Sequence, residues 1–236
     1  MRLLLLSNSR CFGMGYLEHA GEMIRDYLGE GVKTVTFVPY AGVTIDWDSY
    51  TEMVAARFGE IGYRMTSVHA AADPVAAIEG AEAIAVGGGN TFHLLKTMTE
   101  SGVLGAIQAR VRDGVPYMGW SAGSNVACPT ICTTNDMPVV EPPSFNALGL
   151  IGFQLNPHYT EEVLPNHQGE TRGDRIAEFV KANPGQPVVG LREGSTLRVE
   201  GKEIVLLGDK PLKLFGTGDT PRELAPGESL AFLSGT

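Results

Sequence analysis

Long hydrophobic runs are missing from this sequence: the apolar stretch Leu3–Leu6 has only four residues, against the roughly 20 needed to cross a bilayer, so no membrane span is expected. Positive charge is scarce as well. The chain has 18 basic residues against 27 acidic ones, a net charge of -9 and no run of Lys or Arg, which argues against a nucleic-acid partner. Cysteine is nearly absent: Cys11, Cys128 and Cys132 are an odd number without a paired framework, and they read as plain thiols in a reducing compartment. The N-terminus carries one Arg, a very short apolar run and then Ser7 and Asn8, without the length or cleavage site of a secretory signal. A cytoplasmic location is expected. Metal motifs are lacking too: there is no His-Glu-x-x-His and no Cys-x-x-Cys, and Cys128-x-x-x-Cys132 has no histidine nearby in sequence. No cofactor or metal is expected. Nothing between residues 1 and 236 resembles a polar, low-complexity linker, so one domain is expected, with a core burying about 70% of the unfolded surface.

What is present is a regular alternation. Leu3–Leu6, Val35–Val38, Arg64–Val68, Ala83–Val86 and Pro116–Trp120 read as short buried strands. Between them lie helical stretches over Leu17–Leu28, Trp47–Phe58, a helix opened by Asp73 with Pro74 in its first turn, and a region from Asn90 or Thr91 to about Arg112. Strands apolar on both faces, alternating with helices, predict an α/β three-layer sandwich around a mostly parallel central sheet. From Cys128 to Asn146 the chain is rich in Pro, Thr and Asn, too long for a turn and better read as an active-site wall. Residues 172–182 predict a helix, and short strands such as Glu203–Leu207 suggest an antiparallel edge.

The sharpest chemical signal is Gly119-Trp120-Ser121-Ala122-Gly123, placed directly after a strand and before a helix. A tight strand-to-helix turn presents its serine at the carboxyl end of the sheet, and the two glycines let the backbone make that turn. Ser121 is therefore a candidate nucleophile, with Ser124 as local competitor. Such a hydroxyl needs a base. Of the five histidines, His158, in Asn156-Pro157-His158-Tyr159 after the apolar segment Leu150–Leu155, is the best placed; His19 and His93 lie within helices, His69 follows a strand on the other half of the sequence, and His167 is in a polar loop. A carboxylate would orient that base, and both Glu193, just past the apolar run Pro187–Leu191, and Asp136, in the long loop, qualify. Gly87-Gly88-Gly89-Asn90 opens a helix after the fourth strand, so its amides can join that of Ala122 in an oxyanion hole. A dinucleotide loop would need glycine where Phe92 stands, and the Gly-Lys-Ser/Thr of a P-loop is absent.

Across Val86–Thr91, Gly119–Gly123, Thr133–Pro138, Asn156–His158 and Gly169–Arg172, the sequence resembles the peptidase E family of bacterial aspartyl dipeptidases, over a stretch from Leu3 to about Gly194. The resemblance implies a fold like that of class I glutamine amidotransferases (flavodoxin-like). It also implies serine-dependent hydrolysis of dipeptides with an N-terminal aspartate, Ser121 matching the nucleophile and His158 the base. Asp136 and Glu193 both match positions considered for the acid, with Glu193 preferred as orienter; Gly89 and Ala122 match the oxyanion region. Relatives on this fold cleave β-aspartyl bonds, so a β-aspartyl peptidase is the alternative. A chain of this acidity needs a local cation for an acidic dipeptide: Arg172 fits the side-chain carboxylate, Glu170 the amino group, and Asn90 is a further substrate-binding candidate. A monomer or homodimer is expected.

Overall fold

The structure, a computed structural model, describes every residue from Met1 to Gly235 except Leu164 and His167. A large sheet contains β1 (Arg2–Leu6), β2 (Thr34–Val38), β3 (Arg64–Ser67), β4 (Ile84–Val86) and β5 (Tyr117–Trp120). Among them run α1 (Gly21–Leu28), α2 (Trp47–Glu60), α3 (Pro74–Glu79), α4 (Thr91–Glu100) and α5 (Val103–Arg112), and the short α6 (Ala122–Asn125) follows β5. Then come β6 (Gln154–Tyr159), α7 (Arg172–Ala182), β7 (Val188–Arg192), β8 (Thr196–Glu200), β9 (Glu203–Leu207), β10 (Leu212–Phe215) and β11 (Arg222–Leu224).

The order of the large sheet is β3-β2-β4-β5-β1-β8-β9: five parallel strands, then β8 and β9 added antiparallel at one edge. Both of its faces are covered. Ile24, Tyr27, Val54 and Phe58 pack with Phe37 and Trp120 on one face, and Ile78, Leu94, Met98 and Ile107 pack with Leu3, Leu5 and Val86 on the other. This is why Leu3–Leu6 is apolar at every position; all four residues are fully buried.

Helix starts follow local chemistry. The Asp73 carboxylate accepts from the amides of Val75 and Ala76 ahead of Pro74, and Thr171 with Asp174 forms a capping box on α7. The helix expected from Leu17 starts at Gly21 instead, because Leu17 adopts φ 51° and a 3₁₀ turn, Glu18–Ala20, intervenes. One larger difference concerns sheet membership. The strands at Leu155 and Val188 do not extend the central sheet; they pair in parallel in a second, four-stranded sheet, β11-β10-β7-β6. Short apolar strands buried on both faces carry no label of which sheet they join, so the alternation alone does not distinguish these cases. Among the described residues, no helix is long and apolar enough to cross a membrane.

Candidate active site

The register sets Leu6 beside Trp120 and Val86 beside Gly119, so the carboxyl ends of β1, β4 and β5 finish together and Ser121 emerges between its neighbours. Ser121 has φ 53° and ψ -114°. Its two flanking glycines are required by contact: a Cβ on Gly119 would stand 2.3 Å from the Gly123 carbonyl oxygen, and one on Gly123 would stand 2.1 Å from that of Val86. Ser124, the competing serine, is fully buried and directs its hydroxyl at the carbonyl oxygens of Leu6 and Gly119 (2.7 and 2.8 Å). It is a packing group.

His158 lies inside β6 rather than after it, at an irregularity where the register with β7 skips from Pro157 to Tyr159, and it adopts φ 55°. The bulge takes its peptide out of the ladder. Its N–H donates to Ser7 Oγ at 2.9 Å, and its carbonyl oxygen accepts from Arg172 Nη1. Thus held, the imidazole places Nε2 3.0 Å from Ser121 Oγ and Nδ1 2.6 Å from Glu193 Oε1. With Nδ1–H donating to the carboxylate, Nε2 is free to accept the Ser121 proton. This chain of groups can activate a hydroxyl for attack on a carbonyl.

Comparison with known proteins fits that chemistry. The description of peptidase family S51 matches residues 3–207. The chain belongs to this family. It is 49% identical over 232 residues to Peptidase E of Nostoc sp., covering 98% of this chain and 96% of that relative. With Peptidase E of Streptomyces coelicolor it shares 49% identity over 234 residues, covering 99% and 95% of the two chains. In fold it is similar to the crystal structure of a peptidase from an acI-B1 actinobacterium, with a TM-score of 0.73 at 16% identity, over 97% of this chain and 96% of that one. Membership of the S51 family makes the protein a peptidase.

The other sequence-derived candidates of this S51 chain fall into two groups. Ser121, Ala122, Asp136, His158 and Arg172 line one cavity of about 260 Å³. Asp136 does not reach His158 as a partner; its Oδ2 accepts from the amide and hydroxyl of Thr91 (2.8 and 2.6 Å) at the start of α4. The hydrogen-bonded carboxylate of His158 is Glu193. Gly89 lies at φ 139°, so close to Ala41 that a Cβ would stand 2.2 Å from its carbonyl oxygen, and a Cβ on Gly88 would stand 3.1 Å from that of Ser121. The glycine loop therefore abuts Ser121.

Asn90 and Glu170 lie elsewhere. The Asn90 side chain is bonded at both ends within the protein, Oδ1 to the amide of His93 and Nδ2 to the Met137 carbonyl, because it caps α4. Glu170 is exposed and pairs with Arg175 at 3.8 Å, one turn along α7 from the Arg172 it was expected to accompany. Arg172 itself donates to the His158 carbonyl and has no carboxylate partner among the described residues; burial lowers its pKa, opposed by the charge of Glu193.

None of the other described histidines lines this cavity: His69 bonds Ser67 and Asp48, tying β3 to α2, His93 bonds the Tyr40 carbonyl, and His19 is half-buried with both ring nitrogens buried and without a hydrogen-bond partner. His167 lies outside the described residues. The expected wall forms from the long loop: Asn135 donates to the Pro157 carbonyl at 2.7 Å, and Asn156 donates to the Thr133 carbonyl and to Asn135 Oδ1.

Two residues with a direct bearing on the geometry were not singled out by sequence reasoning, Ser7 and Asn8. Both are fully buried. Ser7 Oγ accepts from His158 and donates to the Leu191 carbonyl at 2.7 Å, while Asn8 Oδ1 accepts from the amide of Gly194 at 2.8 Å. Their signal was a polar pair following a wholly apolar strand, at the end of the sheet where sites collect.

Proposed function

We propose that this S51 peptidase is a serine dipeptidase that hydrolyses dipeptides with an N-terminal aspartate, with Ser121 as nucleophile, His158 as base and Glu193 as the carboxylate that orients it. The observation that carries the reading is the hydrogen-bonded chain Ser121–His158–Glu193 at 3.0 and 2.6 Å. His158 Nε2 takes the hydroxyl proton as Ser121 Oγ bonds to the aspartyl carbonyl carbon. The carbonyl oxygen becomes an oxyanion, received by the amides of Ala122 and Gly89; the Ala122 amide opens α6 and so has no acceptor within the helix. Collapse of the tetrahedral intermediate breaks the C–N bond, and His158 gives its proton to the departing amine. Water then repeats the sequence on the aspartyl ester and releases aspartate. Glu193 stays ionised throughout.

Arg172 is the residue we assign to the substrate's side-chain carboxylate. It lines the cavity beside Ser121, and its charge is not consumed by an ion pair among the described residues. A guanidinium offers a two-pronged match to a carboxylate. A core cluster that joins Leu3 and Leu5 to Leu155, Val189 and Leu214 supports reading residues 1–236 as a single peptidase domain. Five parallel strands between two helix layers support the class I glutamine amidotransferase-like (flavodoxin-like) description.

The test is hydrolysis of Asp-Leu and its β-linked isomer side by side, with excess chelator and a Ser121→Ala control. Chelator-resistant cleavage of Asp-Leu alone, lost on Ser121→Ala by about 10⁴-fold or more, is the expected result. Cleavage of the β isomer alone would move the enzyme to the β-aspartyl branch, and cleavage of neither would overturn the reading.

A further inference from the structure

A second cavity, of about 620 Å³, lies beyond His158 and has no role in the reaction described above. It adjoins the smaller cavity around Ser121 through two shared residues, His158 and Arg172. The rest of its wall includes Thr160, Glu162, Arg192, Glu193 and Lys210. Lys210 sits on the turn between β9 and β10, and that turn is fixed against the Glu193 loop. Ser195 Oγ donates to the Lys210 carbonyl at 3.3 Å, Arg192 donates to the Pro211 carbonyl, and Gly208 packs so closely that a Cβ would stand 2.6 Å from the Gly194 carbonyl oxygen.

The charges around this cavity single out one cation. Arg192 is consumed by Glu161 and Glu223 at 2.7 and 2.8 Å, and Glu193 is taken by His158. Arg172 is assigned to the aspartyl side chain. Lys210 alone among these cations has neither an assigned ligand nor, among the described residues, an acidic partner. The reaction itself says what should lie here. His158 protonates the departing amine, so the leaving residue occupies the histidine side of the scissile bond, and its α-carboxylate is one carbon beyond the departing nitrogen.

We propose that this second cavity is the leaving-residue subsite and that Lys210 receives the α-carboxylate of the leaving amino acid. The inference rests on the dipeptidase reading and deepens it. A dipeptide offers a carboxylate at that point and a longer peptide offers a neutral amide, so Lys210 selects dipeptides by charge.

The experiment compares Asp-Leu with Asp-Leu-amide in the unaltered enzyme and in Lys210→Met and Lys210→Glu. Lys210 is exposed on a turn, so neither change threatens the fold. The unaltered enzyme is expected to favour the free acid about three- to fivefold in kcat/KM, through KM, as befits a solvent-accessible ion pair, and to lose that preference at high salt. Lys210→Met brings the ratio to about one, and Lys210→Glu inverts it. A preference that survives Lys210→Met, or no preference in the unaltered enzyme, overturns the subsite assignment while leaving the dipeptidase reading standing. Absence of Asp-Leu turnover in the unaltered enzyme removes both.

Discussion

Ser121 occupies φ 53°, ψ -114°, a backbone region natural to glycine and costly for a residue with a side chain, by about 1–3 kcal/mol. The side chain does not repay that cost as a helix cap, since it makes no capping hydrogen bond to α6. What it gains is direction: the strained turn is what points Oγ at His158 Nε2. Replacing Ser121 by Gly should therefore raise stability while abolishing turnover. We expect a net gain of about 1 kcal/mol, seen as a Tm higher by about 2–4 °C in a chain of this length. An unchanged or lowered Tm in a folded Ser121→Gly protein would mean that the turn is not strained. His158, with φ 55°, shows the same pattern, a strained backbone at a group placed for chemistry. The glycine-serine-glycine turn was legible in the sequence because each glycine answers a contact that no other residue tolerates. The bulge at His158 was not, since it depends on how β6 registers against β7.

At the scale of elements, the end of β1 is the piece that brings the groups together. Leu6, Ser7 and Asn8 are consecutive, and each holds one part of the site. The Leu6 carbonyl accepts from the Ser121 amide at 3.2 Å, Ser7 holds His158 and Leu191, and Asn8 holds Gly194 next to Glu193. One short strand end thus spans Ser121 at the large sheet and His158 and Glu193 at the small one. Ser7→Ala should lower kcat by about 10- to 100-fold with little change in KM, because displacement of a base by about 1 Å costs rate rather than binding. The rate of Ser121 phosphonylation by a serine-directed phosphonate should fall in parallel. Equal loss of kcat in Tyr27→Phe, which removes a buried hydroxyl bond to the Tyr117 carbonyl, would assign the effect to general destabilisation instead.

For the whole molecule, the four strands of the small sheet are joined at one side by a charge cluster. Arg192 of β7 bonds Glu161, just past β6, and Glu223 of β11, and Lys213 of β10 lies 3.0 Å from Glu223. Hydrogen bonds from Arg192 hold the Glu223 carboxyl below its ordinary value of 4.5. A carboxyl depressed in the folded state binds a proton less readily than in the unfolded chain, so its contribution is present above that value and lost as pH falls through the folded one. Tm measured from pH 6 to pH 3 should therefore fall less steeply for Glu223→Gln than for the unaltered protein below about pH 4.5. Identical slopes would show that the cluster does not contribute to acid stability. Local patterns along the chain were enough to anticipate most strands and helices, the glycines of the serine turn, and the choice of Ser121 and His158, which lie 3.0 Å apart. These follow from local periodicity and from backbone geometry that only certain residues permit. It took the folded arrangement to set β6 and β7 in a separate sheet, to bond Glu193 rather than Asp136 to His158, and to engage Asn90 with His93 and Met137 and Glu170 with Arg175. Each of those outcomes is a competition among distant hydrogen-bond partners, and it is settled by where the chain brings them in space.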